Sequence, residues 1–451
     1  MSSEPVKGPD QGAVIPTFFR YVIPSTLSLL AISTASVVDG FFVGNFLGTD
    51  ALAAVNLLMP YFSLLFGIAL MLAVGGSVKA SICIGKQEHA AASQVFSQVL
   101  LVVLALNLAV IPVALWFRDA LFAGLGGDAS LFPLMGEYFT ILCVAMVVQL
   151  CGLVLYYFIR ADNHPEVGMQ ALLLGAGLNI VLDALFIYVF EWGIQGAALA
   201  TLSSQTVQLL YLLRYFRSGN NQLHFVWPRM DWRQLAFSAF NGFSEFINEI
   251  SIGIVILVFH WIINRHSGAE GIAAFSVVNY LIFVSLMVYY GIVDAMHVLL
   301  GQNFGAGLMH RVVGFMNIAG LCIASLSVAM VIFLHVFQGG IVTFFLEEGA
   351  EQAERLTRQF VGMIWPIFLF NGFNVLICAY LTSVEKALHS SVIALSRSLV
   401  LPIALVVGMS LLLPGGQFIY AIPIAEGLTF LLALALFLAA RPSQLRLQPS
   451  A

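Results

Sequence analysis

The chain has 451 residues, 60% of them apolar and only 9% charged, with a formal net charge of −5 and a mean hydropathy of +0.97. Soluble domains carry roughly a quarter charged residues, so this composition excludes a surface solvated by water and demands one solvated by lipid. The net charge says little by itself, because membrane topology follows where Lys and Arg fall.

The first segment, 1–13, is short and polar, without the basic start, apolar stretch and cleavage site of a secretory signal, and is expected to be a cytoplasmic tail. Long apolar runs then predict twelve transmembrane helices at 14–44, 51–78, 90–117, 131–158, 166–190, 194–216, 234–262, 270–298, 310–337, 355–381, 388–413 and 417–440. Short polar links such as GKQEHAA, RADNHPE and GQNFGAGLMHR separate them. The five cysteines lie singly, without metal-ligand or redox spacing, and are expected to pack as small apolar residues.

With the N-terminus inside, thirteen Lys and Arg residues fall in cytoplasmic segments, among them Lys7, Arg160 and Arg446, against four on the other side. Arg397, within span 11, is left out of that count and is the one base expected in the membrane interior. Both termini are therefore expected in the cytoplasm. The longest basic link, within 214–233, falls at the midpoint, and the sequence partly repeats across it. GTDALAAVNLL from Gly48 matches GAEGIAAFSVV from Gly268, a shift of 220, and at that shift Gly85 meets Gly305. Six spans repeated in parallel predict two pseudo-symmetric lobes, 14–217 and 234–440, joined by a linker at 218–233 and followed by a tail at 441–451. Transporters built from repeats place their site at the repeat interface.

The ionisable residues inside the spans are the functional candidates, because a charge in the bilayer must be neutralised, paired or facing water. From Val22 onward Asp39 is the first, fifteen residues after Pro24, where a proline favours a kink. Asn179 and Asp183 share a face of span 5, and Thr201, Gln205 and Gln208 line span 6. A cavity joining Asp39, Asn179, Asp183 and Thr201 suits a cation or proton, with an interhelical hydrogen-bond cluster as the alternative. Glu245, Asn248 and Glu249 on span 7 form a possible second-lobe substrate or proton site, since glutamates four apart repel unless they share a proton or a cation. Asp294 and His297 suit a gate or a loop-fixing role, and Glu426 stands isolated. Tyr61, Phe66, Tyr280, Met287 and Tyr289 are candidates for an apolar lining suited to organic cations, although such stripes are more often ordinary packing. At the duplicate of Asp39 the second half has Phe259, and at that of Asp183 roughly Pro402, which argues for one coupling site. No phosphate-binding loop, HExxH or nucleophile elbow is present, so the chain is expected to use no resident cofactor, to be no enzyme, and to draw on an ion gradient.

Pro24 and Asp39, followed by LNIVLDALFI and WGIQGAALAT, give a pattern that resembles the multidrug and toxic compound extrusion family over nearly the whole chain. GFSEFINEIS and VDAMHVLLGQNFGAG resemble its MepA-like branch, with Glu249 at the position of that branch's span 7 glutamate. Ser244 in place of proline, Glu245 as an added acid and Ala295 in place of glycine depart from it. The resemblance implies an all-α membrane protein of twelve helices in two six-helix lobes around a V-shaped central cavity. It further implies export of amphipathic cations across the bacterial inner membrane in exchange for H+ or Na+, coupled through Asp39, Asn179, Asp183 and Thr201. Asp39 and Asp183 would ligate the metal only if the ion is Na+. The expected partners are small-molecule cations and the bilayer, not nucleic acid, for a monomer. A lipid or lipid-linked oligosaccharide flippase of the same superfamily is the alternative.

Overall fold

The computed structural model describes residues 8–217, 219, 221–345, 351–413 and 416–444, so Lys7 and Arg446 of the charge count lie outside the described residues. The chain is all-helical. The first half holds α1 (Val14–Phe42), α2 (Thr49–Gly85), α3 (His89–Trp116), the short α4 (Arg118–Gly124), α5 (Phe132–Ala161), α6 (Pro165–Asp183) and α7 (Gly193–Tyr215). The second holds α8 (Trp232–Asn241), α9 (Phe243–Gly305), α10 (Met309–Phe345), α11 (Glu351–Ile364), α12 (Ile367–Ser383), α13 (Ala387–Leu395), α14 (Leu401–Leu412) and α15 (Ala421–Ala439).

Nine helical segments among the described residues are long and apolar enough to span a bilayer. One is α9, whose 63 residues would reach about 95 Å if straight and therefore cross twice. It breaks at Gly268, with φ 61° and ψ −156°. A further crossing is the α11–α12 pair, bent by 52° at Trp365–Pro366, where proline removes a backbone donor. The last is α7, made less apolar by its Ser, Thr and Gln residues, of which Ser204 and Gln208 are buried. The result is twelve crossings in two six-helix lobes.

The repeat is visible in the backbone. Gly48 turns between α1 and α2 at φ 89°, and Gly268 makes the matching turn in the second lobe at φ 61°. A side chain is strained at these angles, so glycine at both places follows from the turn. Gln87 (φ 66°) and Gly307 (φ 73°) close the next links, and Asn163 (φ 72°) and Glu385 (φ 57°) those before α6 and α13. Both α6 and α13 then run into π turns, Ala184–Val189 and Ser396–Val400. A third π turn, Val43–Leu47, ends α1.

The lobes meet over only half their length. Along α9, every residue from Gly291 to Gly305 is buried, whereas Tyr280, Phe283 and Val284, further from the termini, are exposed. The α2 side behaves alike, with Val74–Val78 buried and Met59 and Leu64 exposed. Near the termini, α2 and α9 cross so closely that a Cβ on Gly85 would run into the Gln302 backbone, and one on Gly305 into that of Ile82. Small residues permit such backbone approach between membrane helices. One apolar core fills the first lobe. A second joins Phe18, Tyr21, Val78 and Ile82 of the first lobe to the α9 and α12 side chains of the second. A third fills the rest of the second lobe. The molecule is thus a V, closed at the face bearing the termini and open at the opposite face.

Candidate functional site

In the first lobe, α1 stays one helix through Pro24 and carries Asp39 one turn before its π turn. Asp183 is the last residue of α6 before the next π turn and is 0% exposed. Such π turns redirect side chains and recur at functional positions. Oδ1 of Asp39 and both carboxylate oxygens of Asp183 are buried without a hydrogen-bond partner among the described residues. The two carboxylates are within electrostatic reach of one another, and both act on the buried hydroxyl of Tyr138 on α5. Asn179 lies one turn before Asp183, and Thr201 lies on α7, which packs on α6. Sequence reasoning missed Tyr138, a lone tyrosine in an apolar run with no local signal. Among the described residues no group of three or more His, Cys, Asp or Glu is arranged to hold a metal ion.

The second lobe is wired differently. Glu245, Asn248, Tyr290, Asn374, Cys378 and Arg397 line a void with room for about one water molecule. Arg397 sits in the π turn and donates from Nε to Glu426 Oε1 (3.0 Å) and from Nη1 to the Tyr290 hydroxyl (3.3 Å). Asn374 Nδ2 donates to the other Glu426 oxygen (2.6 Å), and Ser398 donates to Asn248 Oδ1 (2.8 Å). Glu426, isolated in sequence, is therefore the buried counter-ion of Arg397, 29 positions away. The two span 7 glutamates part company: Glu245 lines this void, while Glu249 lies against Gly67 of α2 in the other lobe. Of the aromatic stripe, Tyr289 packs: it is 1% exposed and hydrogen-bonded to Ser327 (3.1 Å).

At the closed end, Asp294 of α9 accepts from Arg160 Nη1 and, through its carbonyl, from Nη2. The Tyr156 hydroxyl also donates to Asp294 Oδ2 (3.4 Å). Arg160, next to last in α5, is 1% exposed, so within its link it is buried by protein and not solvated. Gln302 Nε2 donates to Ala161 O (2.7 Å) and Asn163 Oδ1 (2.9 Å), adding to the seam. His297 is buried next to Ser383, with Nδ1 3.4 Å from Oγ. In the adjacent link, burial pushes the Asp162 carboxyl above its ordinary range, opposed by hydrogen bonds from Tyr215 and the Gln222 and Leu223 amides.

A family model described as MatE matches residues 24–185 and again 245–407, once in each lobe and over more than half of the chain. The chain belongs to the MatE family. Like other MatE proteins it is a multi-pass membrane transporter, not an enzyme. It is 24% identical over 436 residues to the multidrug export protein MepA of Staphylococcus aureus, covering 94% of each chain. A solved outward-facing conformation of a multidrug resistance MATE family transporter of the MOP superfamily superposes with a TM-score of 0.89 at 22% identity, over 98% of this chain and 99% of that one. A MOP superfamily transporter from Pyrococcus furiosus, described as having a binding pocket of reverse polarity, matches with a TM-score of 0.87, 22% identity and the same coverage. At these identities the solved structures speak for the MatE fold alone.

Proposed function

We propose that this MatE protein is a secondary active multidrug efflux antiporter of the bacterial inner membrane. It exports amphipathic, mostly cationic compounds in exchange for H+ or Na+, as a monomer with both termini in the cytoplasm. The observation that carries the reading is the pair of carboxylates, half-buried Asp39 and fully buried Asp183, with three of their oxygens buried and unpartnered among the described residues, in the lobe whose open end faces away from the termini. A carboxylate held in a membrane interior needs a counter-charge, and an incoming proton or Na+ supplies one. Asn179, one turn before Asp183, and Thr201, on the α7 helix packed against α6, offer neutral oxygens on the neighbouring helical surfaces. The MepA name and the positive-inside distribution support the direction and cargo.

In this mechanism a cation reaching Asp39 and Asp183 from the open face competes with drug for the same charge. Neutralisation lets α1 bend near Pro24, and the Arg160–Asp294 seam must part before the cavity can open toward the termini. Alternating access then requires two states of one seam, each stabilised by a different occupant. The flippase alternative needs free cationic side chains for pyrophosphate, whereas Arg160 and Arg397 are tied to carboxylates and Arg311 to Asn303 and backbone carbonyls.

The test is ethidium efflux from proteoliposomes under a pH gradient or a Na+ gradient, for wild type and Asp39→Asn. Efflux driven by one gradient and lost in the variant supports the antiporter and names the ion. Efflux by the variant at the wild-type rate would sink it. Inactivity of folded wild type under both gradients would turn the assignment to lipid flipping.

A further inference from the structure

The link between the lobes is a built surface. After α7, the Phe216 ring stacks on Phe96 of α3 at 5.1 Å, and the Gln222 and Leu223 amides donate to Asp162. The chain then runs extended along the first turns of α3. His224 N donates to Ser93 Oγ (3.1 Å), Val226 N to Ser97 Oγ (3.0 Å) and Arg229 N to Gln94 Oε1 (3.0 Å), while Gln98 Nε2 donates to Asp231 O (2.9 Å). Side chains of α3 thus take the place of a neighbouring strand and hold this stretch in one conformation.

What the clamp displays is specific. Trp227 is 82% exposed and Trp232 65%, with Phe225 and Met230 beside them. Arg214 and Arg217 are exposed at the end of α7, Arg229 and Arg233 at the start of α8, and none of the four has an ion-pair partner among the described residues. The local acids are otherwise engaged: Asp231 accepts from the Arg233 and Gln234 amides as the cap of α8, and Asp162 accepts from Tyr215 and the linker. Asp231 keeps its charge while capping α8, and Glu88 is exposed before α3, so among the described residues the four arginines outnumber these two exposed acids. Two exposed tryptophans among arginines, at the water-facing end of membrane helices, match the headgroup layer, where indoles settle and guanidinium groups pair with phosphate. We propose that the clamped inter-lobe linker is a docking surface for anionic phospholipid headgroups. The clamp against α3 holds Arg229 and the approach to α8 in one arrangement, between the arginines that end α7 and the one that starts α8.

The test uses full-length protein in phosphatidylcholine vesicles doped with spin-labelled phosphatidylglycerol or spin-labelled phosphatidylcholine, reading the motionally restricted lipid fraction. Wild type is expected to prefer the anionic label several-fold at low salt, with the preference falling as salt rises. Arg214→Gln/Arg217→Gln/Arg229→Gln/Arg233→Gln should remove most of the preference, whereas Arg118→Gln/Arg355→Gln, on the other face, should keep it. Ser93→Ala/Gln94→Ala/Ser97→Ala, which frees the linker and leaves every charge, should lose part of it. If the fourfold variant fails to insert, Arg214→Gln/Arg217→Gln and Arg229→Gln/Arg233→Gln are each expected to lose about half of the selectivity, by shared charge. An unselective wild type, a fourfold variant (or both paired variants) with full selectivity, or displacement of the labelled lipid by millimolar inorganic phosphate would overturn the headgroup site. Full selectivity in the serine and glutamine variant would overturn the clamp.

Discussion

The two lobes share a backbone and differ in charge. Their positive-φ turns correspond, and α6 and α13 both end in π turns. In the first lobe Asp39 and Asp183 stand beside π turns with Oδ1 of the one and both oxygens of the other buried and unpartnered among the described residues. In the second, the π turn holds Arg397, already paired with Glu426. Where the first lobe has Asp39, the repeat has Phe259, 1% exposed and stacked on Phe275 at 5.2 Å. The second lobe carries its own cation by covalent attachment; the first, on the proposed mechanism, must take one from solution. A duplicated fold can thus repeat its mechanics while placing the exchangeable charge in one copy.

That contrast breaks if neutralising either lobe has the same consequence. Asp39→Asn and Asp183→Asn should lower gradient-driven efflux to background, at least about tenfold, with thermal unfolding in detergent unchanged or improved, since an unpaired buried carboxylate is removed. Glu426→Gln should do the reverse. It leaves Arg397 buried without its counter-charge, which costs about 3–5 kcal/mol and shows first as a lower unfolding temperature. The double change Arg397→Met/Glu426→Met should recover much of that loss, because an ion pair exchanged whole for apolar side chains is often neutral. A Glu426→Gln protein as stable as wild type but unable to couple would move the coupling site into the second lobe.

The sequence carried the crossings and the repeat because both are local signals: hydropathy over a span, and glycines where the backbone must turn. Asp39, Asp183 and Glu245 stood out for the same reason, as acids in apolar runs. Their partners did not. Arg160 and Asp294 are 134 positions apart, and Arg160 sits beside a polar link whose composition reads as solvent-exposed. Glu426 looked solitary because Arg397 is supplied by another helix. Tyr289 was open to lining a pocket or to packing, and the angle of α9 turns it inward to Ser327. Helix register is written in one segment, whereas pairing across helices depends on rotations that no single segment encodes.

The closed end supplies a sharper comparison, between a buried and a half-exposed tie across one seam. Asp294→Asn keeps the shape and removes the charge facing Arg160, so the closed state should lose several kcal/mol relative to the state with that seam parted. Spin labels at Glu88 and His310, one on each lobe at this face, should report a longer distance population absent from wild type. An unchanged distribution would reduce Arg160–Asp294 to ordinary packing.

The smallest effect belongs to Lys79 and Glu385, which bridge the same seam at 2.9 Å with side chains 26% and 24% exposed. Water screens this pair, and Lys79 also rests near the Phe237 ring at 5.8 Å, so part of its contribution survives loss of the carboxylate. Lys79→Ala should therefore destabilise the closed seam by only about 0–1 kcal/mol, in a salt-dependent way. With the same pair of labels, Asp294→Asn should move the distance distribution at any ionic strength, and Lys79→Ala should move it slightly and only at low salt. If Lys79→Ala opens the seam as far as Asp294→Asn does, burial is not what sets the strength of the closure, and the glycine crossing of α2 and α9 must be weaker than its contacts imply.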